Sequence, residues 1–268
     1  MNNNNGDNMH KIKINKNLLR TDLIEEIKVA KKDHLKNKSF PGGKVSSFEF
    51  ANKRYSTIYF KDITDQDSFN IVLNVFISEL KNFLEISKND IFLVIGLGNE
   101  ESTPDSLGPK SISHILVTKY LFDLGEVETG YSNVCSFTPN VTGNTGIETS
   151  KIIKCIIKES KATKVLIVDS LKANALSRLT KTIQISNNGI SPGSGVFNNR
   201  CEISKNTMGI DVISIGIPTI VDLRSINNNI KDYWMVTPTD IDFLIDKLSL
   251  LIGEGINKVL HKKLNTTK

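Results

Sequence analysis

Three stretches of this chain are unbroken apolar runs of strand length: "DIFLVIGLG" (90–98), "TKVLIVDS" (163–170) and "IDVISIGIP" (210–218). Such runs belong to strands covered on both faces. Around them, apolar residues recur at helical spacing over 67–86, 110–122, 146–160 and 237–264. For the last of these, Thr237 reads as the N-cap, Pro238 as the first helical residue, and Asp240 lies three residues after the cap. Strands alternating with helices predict an α/β domain with a mostly parallel sheet flanked by helices. Ahead of it, 18–30 has a helical pattern with acids near its start, and 47–60 has the β-rich composition of a hairpin. These form a small N-terminal hairpin and helix region. Residues 1 to 17 are rich in Asn and Lys and are expected to be disordered.

Composition narrows the classes. No run approaches the ~20 apolar residues of a membrane span, and the N-terminus lacks the apolar segment of a secretory signal. A cytoplasmic protein with no membrane partner is expected. The net charge of +5 is spread along the chain, and no basic patch interleaves with aromatics, so direct nucleic-acid binding is not expected. Cys135, Cys155 and Cys201 have no metal-ligand spacing and read as small buried hydrophobes.

The candidate chemistry follows the first apolar run, in "IGLGNEESTPDSLGP" (95–109). Gly96 and Gly98 start a dinucleotide fingerprint, but the third glycine is missing and Asp105 would repel a pyrophosphate. A metal hydrolase needs convergent ligands. Of His10, His34, His114 and His261, only His114 is near this loop, so no metal and no cofactor are expected. "PGSG" (192–195) is not a nucleophile elbow, and nothing in the pattern joins Cys135 to His114. Two acids remain. Asp105 follows the first buried strand, and Asp169 stands at the end of the second. Sites of parallel sheets form at this edge. Two carboxyls there can share one proton and serve as base and acid toward water. Either alone reads first as a helix cap, and only the two together, with Pro104 and two glycines alongside, favour catalysis. Thr103 and Ser170 flank the acids as candidate hydrogen-bond partners. Among the glycine turns at Gly143, Gly146 and Gly189, the loop Gly193, Ser194 and Gly195 is the candidate substrate or oxyanion element.

Five motifs occur in order: "GLGNEESTPDSLGPK", "VTGNTGIETS", "TIQISNNGISPGSGV", "SKNTMGIDVISIGIPTIVD" and "MVTPTDIDFLIDKLSLLIGEGINKVLH". Together they resemble the germination protease family of spore-forming Firmicutes. More distantly, the chain resembles hydrogenase maturation endopeptidases. The first resemblance implies an aspartic-type endopeptidase of small acid-soluble spore proteins, acting in the forespore and spore core as a homotetramer. It implies catalysis by Asp105 and Asp169. It also implies a precursor that removes its own N-terminal segment, cutting after an acidic and before an apolar residue. Asp22–Leu23 in "RTDLIEE" is the matching pair, which divides the chain into a propeptide, 1–22, and an endopeptidase domain, 23–268. Ile24 stands where the family prefers a small residue, and 223–234 is shorter than the family's usual segment. Two rival readings are a metal-dependent, hydrogenase-maturation-like peptidase and a non-catalytic sporulation protein that binds a partner.

Overall fold

The structure, a computed structural model, describes residues 22–26, 35–50, 52–193, 200–227 and 229–265. Residues 1–17, expected to be disordered, lie outside these. In chain order the elements are β1 (Leu35–Phe40), β2 (Gly43–Phe50), β3 (Lys53–Phe60), α1 (Gln66–Lys81), β4 (Ile91–Gly96), α2 (Leu107–Ser113), α3 (Lys119–Leu124), β5 (Asn133–Phe137), α4 (Thr142–Thr145) and α5 (Thr149–Ser160). They continue as β6 (Lys164–Ala173), β7 (Thr182–Ser186), α6 (Lys205–Met208), β8 (Asp211–Asp222), α7 (Leu223–Ile226), β9 (Met235–Val236) and α8 (Ile241–Leu260).

Among the described residues the architecture is mixed α/β, with one nine-stranded sheet in the order β1-β2-β3-β7-β8-β6-β4-β5 and β9 beside β8. The three apolar runs become β4, β6 and β8, which with β5 make a parallel half. The predicted hairpin is β2–β3. It is no appendage, because β3 pairs with β7 and carries the antiparallel half outward to β1. Alternation along the parallel strands explains their continuous hydrophobicity. Phe92 and Val94 of β4 and Leu166 and Val168 of β6 face the core under α1, α2 and α8. Leu93, Ile95, Val165 and Ile167 face the second core, under α5 and its Ile153.

Helix boundaries differ from the sequence pattern where tertiary bonds compete. The single helix expected over 110–122 is two. The first starts earlier, at Leu107, with Pro109 in its first turn, and ends at His114. The chain then leaves the helix so that the Leu116 N–H can donate to Asn257 Oδ1 (2.9 Å) and the Thr118 N–H to the Val134 carbonyl (2.9 Å). α8 begins at Ile241 with Asp240 in the N-cap position. Thr237 does not cap it, because its hydroxyl donates to the Thr219 carbonyl (2.8 Å). The described part of the helical pattern at 18–30 is not an α-helix. Asp22 and Leu23 lie alongside β6, and Ile24–Glu26 make one 3-10 turn.

Cys155 and Cys201 are exposed, against expectation. Cys135 is half-buried, and its thiol reaches the Phe92 carbonyl (3.5 Å) rather than a histidine. No described helix is long and apolar enough to cross a membrane.

Candidate active site

β4 ends at Gly96, opposite Val168 of β6, while the β6–β8 ladder runs on to Ala173 and Val221. Asp169 is therefore inside a strand rather than at its end, as the sequence suggested. It does stand at the sheet's edge on the β4 side, the first β6 residue left without a β4 partner. The strand continues through polar Ser170 and Lys172 because β8 still pairs with them.

After β4 the chain turns back, and the turn brings Asp105 to the same edge. Gly98 makes this possible. Its φ is +117°, and a Cβ there would fall 2.0 Å from the Asp105 carbonyl oxygen. Residues Thr103–Asp105 form a 3-10 turn with Pro104 inside it. The Asn99 N–H donates to Asp105 Oδ2 (2.9 Å) and fixes the carboxyl.

Asp105 and Asp169 line one cavity of about 410 Å³, together with Asp22, Ser170, Lys172 and Arg200. Burial pushes the Asp105 carboxyl up to about 6, against the Asn99 N–H and the Arg200 charge, which pull it down. Asp169 is 7% exposed. Burial above all, then the charges of Asp105 and Asp22, raise it well above the ordinary carboxylate range, and one N–H bond from Ser170 (2.9 Å) opposes them. Both carboxyls are thus drawn toward the protonated form, Asp169 by burial and by its acidic neighbours, Asp105 by burial. The pair can accept one proton and donate another.

Of the flanking hydroxyls, Ser170 meets Asp169 through its backbone N–H only. Its Oγ is buried without a hydrogen-bond partner. Thr103 contributes its carbonyl, which accepts from the Ser106 N–H (3.1 Å) and hydroxyl (2.8 Å). Gly193 lines the cavity, in a left-handed conformation (φ +70°). Ser194 and Gly195 lie outside the described residues. Gly143 and Gly146 border open space, as ordinary turn glycines do. His114 ends α2 and packs against Gly253. Among the described residues, no group of three or more His, Cys, Asp or Glu could hold a metal ion.

The segment 22–26 starts at this cavity, with Asp22 in its lining, and runs on in a trough beside residues 171–175. The Asp22 N–H donates to the Lys172 carbonyl (3.1 Å), and Asp22 Oδ2 accepts from the Lys172 N–H (2.9 Å). Gln184 bridges the next peptide. Its Nε2 donates to the Asp22 carbonyl (3.1 Å), and its Oε1 accepts from the Ile24 N–H (2.8 Å). Leu23 is fully buried against Leu171, Ala173 and Ile190. Gly216 makes room for this wall, since a Cβ on it would fall 2.4 Å from Leu171 Cδ1.

Sequence reasoning missed the charged floor behind the acids. Lys172 is 1% exposed, and its Nζ is 3.6 Å from Asp222 Oδ2. Arg224 grips Asp222 through Nε (3.0 Å to Oδ1) and its terminal amine (2.7 Å to Oδ2). Burial pushes Lys172 below the ordinary ammonium range, partly offset by the Asp222 and Asp22 charges. The D-x-R spacing of Asp222 and Arg224 was the available signal, because an N-cap aspartate can fold back on a cation two residues later.

Geometry alone thus defines a mixed α/β protein with an acid-lined cavity at the ends of its parallel strands. Comparison with known sequences adds the class, a peptidase, because the family model for "Germination protease" matches residues 2–235. The germination protease of Bacillus subtilis (strain 168) is 40% identical over 249 residues, which cover 82% of this chain and 68% of that protein. The one from Clostridium tetani (strain Massachusetts / E88) is 34% identical over 255 residues, covering 78% and 79%. The chain belongs to the germination protease family. Among solved structures, the [NiFe] hydrogenase maturation protease HycI from Thermococcus kodakarensis KOD1 is similar at 16% identity and a TM-score of 0.41, over 68% of this chain and 98% of that one.

Proposed function

We propose that this chain is an aspartic-type endopeptidase of small acid-soluble spore proteins, made as a precursor that cuts itself between Asp22 and Leu23. On this reading, 1–22 is the propeptide and 23–268 the endopeptidase domain, working in the spore core. One observation carries the proposal. Asp22 lines the cavity of Asp105 and Asp169, its charge bears on Asp169, and the apolar Leu23 after it packs on Leu171 and Ile190 of the same lining.

The base is assigned to Asp105, which keeps the Asn99 N–H bond, and the acid to Asp169, which burial and its acidic neighbours raise. The Asp105 carboxylate takes a proton from water, and the water oxygen attacks the peptide carbonyl carbon. Asp169 gives its proton to the carbonyl oxygen as the tetrahedral centre forms. When that centre collapses, the C–N bond breaks, the leaving nitrogen takes the proton held by Asp105, and Asp169 recovers its own. The apolar wall of Leu171, Ala173 and Ile190 suits the residue after the cut, as it now suits Leu23.

Asp105→Asn and Asp169→Asn test the mechanism. Each lowers cleavage of a purified spore-protein substrate by about 10³-fold or more, the scale of losing a positioned acid or base. Near-normal cleavage by either variant would remove that residue from the mechanism. Mass spectrometry of the processed wild type finds a new N-terminus at Leu23, and cleavage persists in EDTA. A requirement for nickel would favour the hydrogenase-maturation-like alternative.

A further inference from the structure

Arg178 and Tyr59 come from distant parts of the chain and meet on the leaving side of the Asp22–Leu23 bond. The Arg178 guanidinium lies over the Tyr59 ring, 5.1 Å from its centroid, and donates to the Tyr59 hydroxyl (2.6 Å). Beside them the backbone N–H groups of Asn174 and Ala175 point into the trough. Two carboxylates of the bound segment fill this site. Glu26 Oε2 accepts from the Asn174 N–H (2.8 Å), and Oε1 accepts from the Ala175 N–H (3.1 Å) and lies 3.3 Å from Arg178 Nε. Glu25 Oε2 lies 3.4 Å from the Arg178 terminal amine and accepts from the Tyr59 hydroxyl. The Glu26 side chain is 8% exposed and that of Arg178 19%, so solvent screens this pair little.

We infer that Arg178, Tyr59 and the Asn174 and Ala175 N–H groups form a subsite that reads acidic side chains at the third and fourth residues after the cut, in the resident segment and then in substrates. The inference rests on the proposed endopeptidase function. Its chemistry is specific. Two neighbouring N–H donors hold the two oxygens of one carboxyl, and Arg178 meets one of the same oxygens. A glutamine in place of Glu26 would turn an amide N–H₂ toward a donor and leave one backbone N–H unmet. The donors belong to the folded body and the acids to the first residues after the cut, which must swing out of the site before another chain can enter. Once emptied, the subsite holds an arginine and half-buried N–H groups that an incoming acidic peptide satisfies and a neutral one does not.

The test uses the full chain carrying Glu26→Gln, whose own segment holds the subsite less well. A fluorescent peptide of sequence RTDLIEEIK, residues 20–28, is compared with the same peptide bearing glutamine at both acidic positions after the cut. Binding is read by anisotropy. The acidic peptide binds about tenfold tighter or more, as expected for charge-assisted bonds, and adding Arg178→Gln abolishes the difference while Arg178→Lys restores part of it. Equal affinity of the two peptides, or no binding of either, overturns the subsite. The peptide comparison leaves the protein unchanged, so a poorly folded arginine variant cannot disguise the outcome. Cleavage is followed in the same samples. Selective binding without cutting at Asp–Leu keeps the subsite and defeats the peptidase reading, and cutting without selectivity does the reverse.

Discussion

Asp169 and Asp222 lie on neighbouring strands of one sheet, and both are almost wholly buried, 7% and 0% exposed. Their charges are handled in opposite ways. Asp222 also suffers burial, but Arg224 and Lys172 outweigh it and hold the carboxyl below its ordinary value. Asp169 has one backbone N–H, and its nearest charged neighbours are other acids. Burial alone does not decide whether a carboxyl keeps its proton. Partners decide it. The sheet therefore carries an ion-pair anchor a few residues from a carboxyl whose surroundings favour its protonated form.

The strongest way to break this contrast is Asp222→Ala. It leaves the Lys172 and Arg224 cations without their shared carboxylate, and breaking a buried pair from one side costs about 3–5 kcal/mol. Thermal melting should show a midpoint lowered by roughly ten degrees for a chain of this size. An unchanged midpoint would mean that the network stabilises nothing.

The pH dependence of stability sharpens the contrast, because Asp105, raised like Asp169, and Asp222, lowered, give slopes of opposite sign. Asp105 has a folded value of about 6, above the 3.8 of a free carboxyl. Its contribution is fully present below about 4 and is lost as pH rises through about 6. Asp222 is depressed, so its contribution is present above about 4 and lost as pH falls through its folded value. Denaturant unfolding from pH 4 to pH 7.5 should show the Asp105→Asn variant gaining on the wild type as pH rises, by on the order of 2 kcal/mol. A constant difference across that range would contradict the raised value.

The smallest expected effect is that of Lys172→Met. Methionine nearly matches the lysine stem in volume, and Asp222 retains both bonds to Arg224. The midpoint should move by the equivalent of about 1 kcal/mol or less. A loss as large as that of Asp222→Ala would show that the lysine, not the arginine, holds the anchor.

These contrasts also mark what could be read from the chain alone. β4, β6 and β8 were legible because both their faces are covered, which forces uninterrupted apolar sequence. Asp105 was legible as a candidate because an acid after a proline in a glycine-rich turn is unusual, and Asp169 because it interrupts an apolar run. β1 was not. Its "LKNKSF" is mostly exposed and carries lysines, as an outer strand should. The far end of β6 was missed because Ser170 and Lys172 look like strand-ending polar residues, and only the Asp222 partner explains the buried lysine. The helical pattern around Leu23 misled for a related reason. Its apolar and acidic side chains are claimed by Leu171, Ala173 and Arg178, about 150 positions away in sequence, and local periodicity carries no trace of that.

The register of β6 against β8 skips one residue: Leu171 faces Pro218, but Lys172 faces Ile220, so Thr219 is extra. Along a pleated ribbon, one added residue reverses the phase of all that follows. Thr219 therefore acts as a switch of parity. Were Thr219 instead paired in regular succession, Lys172 would face it, and Asp222 would fall on the opposite side of the ribbon from its lysine.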